Sequence, residues 1–108
     1  MSDVLKELYS TVENRRNNPA EGSYTCYLFE KGLDKILKKC GEECAEVIIA
    51  AKNGDRRETV MEISDLLYHL TVLMSQQGIG PAELEDELRR RSEKTGNLKQ
   101  FHKTDKNS

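Results

Sequence analysis

KKCGEECAEVIIAAKN (residues 38–53), a short GDRR connector (54–57) and ETVMEISDLLYHLTVL (58–73) decide how this chain folds. Two carboxylate pairs lie in it, Glu43 with Glu46 and Glu62 with Asp65, each at i,i+3. That spacing sets both members of a pair on one side of a helix, about one turn apart. Between them, Asn53-Gly54-Asp55 reads as a helix stop, a turn and a new start. Gly54 suits a left-handed position after the first helix, and Asp55 with Glu58 three residues on resembles a capping box. Glu46 and Glu62 each lie eight residues from Gly54, and Glu43 and Asp65 each lie eleven. In an antiparallel hairpin these are equal heights, roughly 12 and 16 Å along the axes. Four carboxylates converging there repel one another unless a cation sits between them. The spacing predicts a metal site formed by Glu43, Glu46, Glu62 and Asp65.

Working outward, Leu33, Ile36, Leu37, Cys40, Cys44, Val47, Ile48 and Ala51 keep to one stripe at 100° per residue, so they are expected to form the buried seam of the first helix. Lys39, Glu43, Glu46 and Ala50 line one flank of that seam, and Glu42 sits further round toward solvent. The second helix, residues 56 to about 77, is apolar over most of its circumference. Val60, Ile63, Leu66, Leu67, Leu70, Leu73 and Met74 form a wide face, and Met61, Tyr68 and Val72 another. A helix of that kind needs cover nearly all round, and one small chain has few helices to supply it. We therefore expect a homodimer or larger bundle. Glu62, Asp65 and His69 share the narrow polar strip that remains. For His69 the ordinary reading is a hydrogen-bonded packing residue, with ligand or base as the alternative.

Before this core, Val4, Leu5, Leu8 and Val12 have helical spacing, with Ser2 placed to cap its start. Residues 15–23 carry Pro19 and Gly22 and read as a loop. Its two arginines and the following Ser23-Tyr24-Thr25 make either a phosphate-contacting arm or a solvated connection. After the core, Gly78-Ile79-Gly80-Pro81 ends one helix and starts another. In that last helix acidic residues precede Arg89, Arg90 and Arg91, complementing the helix dipole. Gly96 is expected to stop it. Residues 1–98 read as one all-α domain and 99–108 as a frayed polar tail.

The 108 residues suffice for one domain with a modest core, and apolar residues make up only 36% against 33% charged. A net charge of −2 with interleaved signs gives no basic patch for nucleic acid. Neither a signal peptide nor an apolar run of membrane-spanning length is present. Three cysteines, Cys26, Cys40 and Cys44, do not suggest a disulfide framework, and a reducing, cytoplasmic setting is expected. Cys40 and Cys44, at i,i+4, read as small core hydrophobes rather than a soft-metal pair.

All four predicted ligands are hard oxygen donors that suit Mg²⁺, with Mn²⁺ as substitute. Glu-x-x-His pairs of the di-iron kind are missing. Mg²⁺ held by a few carboxylates typically works on phosphates, neutralising charge and lowering the pKa of a bound water. Lys38, Lys39 and Lys52 can stabilise a leaving group. Glu42 or Glu46, not fully engaged by metal, can serve as general base.

The pattern Glu42-Glu43-x-x-Glu46 with Glu62-x-x-Asp65 resembles the all-α nucleoside-triphosphate pyrophosphatase superfamily of MazG type. Within it, SYTCYLFEKGLDKILKKCGEECAEVIIAAKNG, ETVMEISDLLYHLTVLM and LEDELRRRSEKTG are similar to the phosphoribosyl-ATP pyrophosphatases of histidine biosynthesis, over residues 5–96. The resemblance implies a Mg²⁺-dependent, cytoplasmic, helical homodimer whose hairpin core completes a four-helix-type bundle. It would hydrolyse phosphoribosyl-ATP to phosphoribosyl-AMP and pyrophosphate. Glu43, Glu46, Glu62 and Asp65 would bind metal, with Glu42 close by. Lys39, Lys52 and Asn53 match positions suited to phosphate contact, and Ser23, Tyr24 and Thr25 would help hold substrate. Ile63-Ser64 departs from the small alanines common there. With no Cys/His zinc cluster of the kind a fused cyclohydrolase would bring, a single activity is expected. The alternatives are a house-cleaning (d)NTP pyrophosphohydrolase of the same superfamily and a non-catalytic dimerisation module.

Overall fold

The computed structural model describes residues 2–94. They form five helices, α1 (Ser2–Asn17), α2 (Tyr24–Lys31), α3 (Leu33–Lys52), α4 (Arg56–Gln77) and α5 (Pro81–Ser92), with no strand among the described residues. The expected helix stop at Gly96 and the polar tail lie outside the described residues. The α3–α4 hairpin is the most extensive helix pairing of the chain.

Local chemistry explains the hairpin turn. Asn53 and Gly54 close α3 through bonds to Ile49 and Ala51 carbonyls (3.0 and 3.1 Å), and Gly54 has φ +72°, where a Cβ is strained. Asp55 then caps α4, its Oδ1 accepting from the Glu58 amide at 3.0 Å. Gly78 ends α4, and Pro81 opens α5 in its first turn.

The core joins one or two residues from each of the first four helices: Val12, Leu28, Ile36, Cys40 and Val72, with Leu8, Phe29, Tyr68 and Leu73 packed against them. Fully burying each aliphatic side chain is worth about 1.5–3 kcal/mol.

Three expectations are corrected here. The first two concern the N-terminal third. Residues 15–23 are not all loop, because α1 runs on through Arg15 and Arg16 to Asn17 and already includes Ser2. The continuation is held by tertiary contacts: Arg16 donates to the Ser75 carbonyl at 2.7 Å and lies over the Phe29 ring. A second, unexpected helix, α2, follows. Ser23 caps it, accepting from the Cys26 amide, and Gly32 is the one residue between α2 and α3.

The third correction is the direction in which α3 and α4 face. On α3 the buried residues are Ile36, Cys40, Glu43 and Ala50, whereas Leu37, Cys44, Ile48 and Ala51 of the expected seam are exposed. On α4 the buried residues are His69, Thr71, Val72 and Ser75, so the polar strip turns inward. The wide apolar face stays open, with Val60, Ile63, Leu67 and Leu70 exposed. The buried His69, Thr71 and Ser75 are tolerable inside because their polar groups are bonded. Thr71 donates to the Leu67 carbonyl (2.7 Å), Ser75 to Glu13, and both ring nitrogens of His69 have partners.

Candidate active site

Because α3 and α4 pack through this rotated seam, Glu43 is 6% exposed and lies between the helices. Glu43, Glu62 and Asp65 each contribute one oxygen to a cluster in which these atoms lie within 4.8 Å of one another. Glu43 Oε1 and Glu62 Oε1 are buried without a hydrogen-bond partner. Leaving such an oxygen unpartnered is costly unless a cation completes it. Oxygen-only donors, buried lone pairs and open positions on the exposed Asp65 suit a hard divalent ion.

Electrostatics agree. Glu62 is pushed up to about 7, first by partial burial and then by the neighbouring carboxylates Glu46, Glu43 and Asp65. Glu46 is exposed and stands outside the three-oxygen cluster, lining a cleft together with Glu62. Lys39 reaches over the cluster's edge, its Nζ 3.1 Å from Glu42 and 3.7 Å from Glu43. That hydrogen bond holds the Glu42 carboxyl below its ordinary value and the Lys39 ammonium above its own.

Asn53 joins Glu46 and Glu62 in lining a cleft of about 250 Å³ at the hairpin end, with Ile49, Ala50, Asp55 and Glu58. Lys52 is exposed at the end of α3 and does not line that cleft. Ser23, Tyr24 and Thr25 stand at the start of α2, and each side chain is engaged within the protein. Ser23 caps the helix, Tyr24 Oη is 3.0 Å from His69 Nε2, and the Thr25 hydroxyl meets that of Tyr68. Through His69, whose Nδ1 lies 2.8 Å from the Asp65 carbonyl, the arm connects to the turn of α4 that carries Asp65.

Sequence reasoning missed the link from α2 to Tyr68 and His69. Its one local signal was His69 standing four residues after Asp65, where an imidazole can bond the preceding turn's carbonyl.

The fold and site define the class: an all-α protein with a partly desolvated carboxylate cluster between the helices of its central hairpin. Comparison narrows this. Residues 5–92 match the family described as Phosphoribosyl-ATP pyrophosphohydrolase, and the chain belongs to that family. It is 52% identical over 99 residues to the phosphoribosyl-ATP pyrophosphatase of Clostridium acetobutylicum, covering 92% of this chain and 90% of that protein. The enzyme of the same name from Streptococcus thermophilus is 53% identical over 95 residues, covering 88% of this chain and 91% of that protein. The histidine biosynthesis bifunctional protein HisIE of Thermoanaerobacter pseudethanolicus is 64% identical over 83 residues, which are 77% of this chain and 37% of that protein.

Proposed function

We propose that this chain hydrolyses phosphoribosyl-ATP to phosphoribosyl-AMP and pyrophosphate, the step of histidine biosynthesis for which its relatives are named. The observation that carries the reading is the trio Glu43, Glu62 and Asp65, within 4.8 Å of one another and with two buried oxygens unpartnered. These residues would hold Mg²⁺, or Mn²⁺ in its place. When bound, the ion supplies charge neutralisation on the polyphosphate and a more acidic water.

The chain's own groups divide the remaining work. One P–O bond of the α–β anhydride breaks as one P–O bond to the water oxygen forms, and a water proton must be accepted. Of the two expected bases, Glu42 is tied to Lys39 and is the weaker one. Glu46, beside Glu62 and outside the trio, takes the proton. Lys39, bordering the cluster, stabilises charge on the pyrophosphate being released. Asn53, Lys52 and the arm of Ser23, Tyr24 and Thr25 complete the substrate's contacts.

The open apolar face supports the homodimer. Leu37 is 46% exposed, Ile48 67% and Val60 59%, an unusual cost for a chain alone in water. A second copy covering them would build the four-helix-type bundle. Among the described residues no helix is long and apolar enough to cross a membrane. A cytoplasmic setting, with neither nucleic acid nor membrane as partner, completes the reading.

Pyrophosphate release from phosphoribosyl-ATP and from a panel of dNTPs, each with Mg²⁺, is the test. We expect preference for phosphoribosyl-ATP, and loss of at least ~100-fold in kcat/KM for Asp65→Asn, equivalent to about 2.7 kcal/mol of transition-state stabilisation. Preference for a dNTP would replace the substrate. Unchanged activity in Asp65→Asn would remove the site.

A further inference from the structure

Two adjacent side chains of α4, Tyr68 and His69, take no part in the chemistry above, yet both reach α2. The Tyr68 hydroxyl meets Thr25 Oγ1, and His69 Nε2 lies 3.0 Å from Tyr24 Oη. His69 is 5% exposed and its ring is fixed at the other end too. Nδ1 lies 2.8 Å from the Asp65 carbonyl, which can only accept, so Nδ1 carries the hydrogen. In the neutral ring Nε2 then accepts from the Tyr24 hydroxyl. The rings pack as well, His69 edge-on to Tyr68 at 4.9 Å and to Tyr24 at 5.7 Å.

These contacts matter because they are α2's side-chain hydrogen bonds to α4; the helix otherwise rests on α1 through Cys26 and on the core through Leu28 and Phe29. It is eight residues long and buries only Leu28 completely, whereas an isolated helix of that length is unstable in water. Its first turn is therefore placed by what grips it, and the grip begins one helical turn from Asp65.

We infer that Tyr68 and His69 are positioning residues, a two-point latch that fixes the arm of Ser23, Tyr24 and Thr25 beside the carboxylate cluster, where it meets the polyphosphate. This rests on the site being a divalent-ion-dependent pyrophosphohydrolase. The latch acts through Tyr24 and Thr25 and touches neither the ion nor the reacting atoms.

Tyr68→Phe and His69→Phe keep the rings and delete the polar ends. Three readouts are compared with wild type: Mn²⁺ affinity of the protein alone, KM and kcat for phosphoribosyl-ATP, and amide hydrogen exchange of α2. We expect Mn²⁺ affinity to stay within about twofold, since no ligand is touched. KM should rise ~10-fold in each variant with a smaller fall in kcat, and the pair should lose ~100-fold in kcat/KM, a size typical of misplaced reactants. Exchange in α2 should quicken in both. Wild-type KM with wild-type α2 exchange would overturn the latch, as would loss of Mn²⁺ affinity, which would put these residues at the ion instead. If the double variant does not fold, each single variant decides alone. Failure of Asp65→Asn to weaken Mn²⁺ binding would defeat the functional reading, while α2 exchange would still judge the latch.

Discussion

Glu62 shows how the site's electrostatics reach measurable behaviour. Its folded-state value, about 7, stands above the ordinary 4.5, so between those two pH values the folded chain holds a proton that the unfolded chain has released. Glu62's contribution to the stability of the ion-free protein is therefore fully present below that window, falls as pH rises through it, and levels off above it. Thermal melts of ion-free protein should show this decline, and Glu62→Gln should flatten it and melt higher than wild type at pH 8. Since the ion has to displace the proton, Mn²⁺ affinity should grow as pH rises toward and past 7, and a flat profile from pH 5.5 to 8.5 would contradict the assignment. At this scale much was legible in sequence. Equal counts from Gly54 pointed to Glu43, Glu46, Glu62 and Asp65 because side-chain spacing in a helix is a local property, and oxygens of three of these four come together. What spacing could not show was that Glu46 would stand just outside the trio while Glu43 became the most buried of the four.

At the scale of elements, local signals and tertiary ones part company. Asp55 caps α4 with its own side chain, and Ser23 caps α2, both within three residues of the amide they serve. Asp55→Ala and Ser23→Ala should each cost about 1 kcal/mol, read from denaturant midpoints. Only Ser23→Ala should also speed amide exchange in α2, because that short helix has less packing to fall back on. The α3–α4 turn was readable for the same reason that its cap is testable, since every atom involved is near in sequence. Two things were not readable. The apolar stripe of α3 is wide, and periodicity alone cannot say which edge of it meets α4. Helix α2 was hidden because only Leu28 is completely buried and its hydrogen bonds to α4, from Tyr24 and Thr25, run to residues more than forty positions away.

The whole molecule presents an imbalance that a single chain does not resolve. Its interior side of α4 carries His69, Thr71 and Ser75, while Ile48, Val60, Ile63 and Leu67 face outward. Restoring each such side chain to a dry surface is worth about 1.5–3 kcal/mol, so removing two from an interface should weaken association by at least ~100-fold. Light scattering during size-exclusion chromatography should find wild type as a dimer and Ile48→Glu with Val60→Glu as a monomer at micromolar concentration. A wild-type monomer would refute the assembly. The single-residue junction at Gly32 has a wider consequence for the molecule's design. It sits at φ +92°, its amide bonded back to Leu28 and its carbonyl accepting from Ile36, so it closes one helix while opening the next. The bearing of the short helix on the long one is thus governed by two torsions of a residue without a side chain. Any L side chain at that pivot would be strained, so the joint between the two helices depends on a residue that contributes no chemical group of its own.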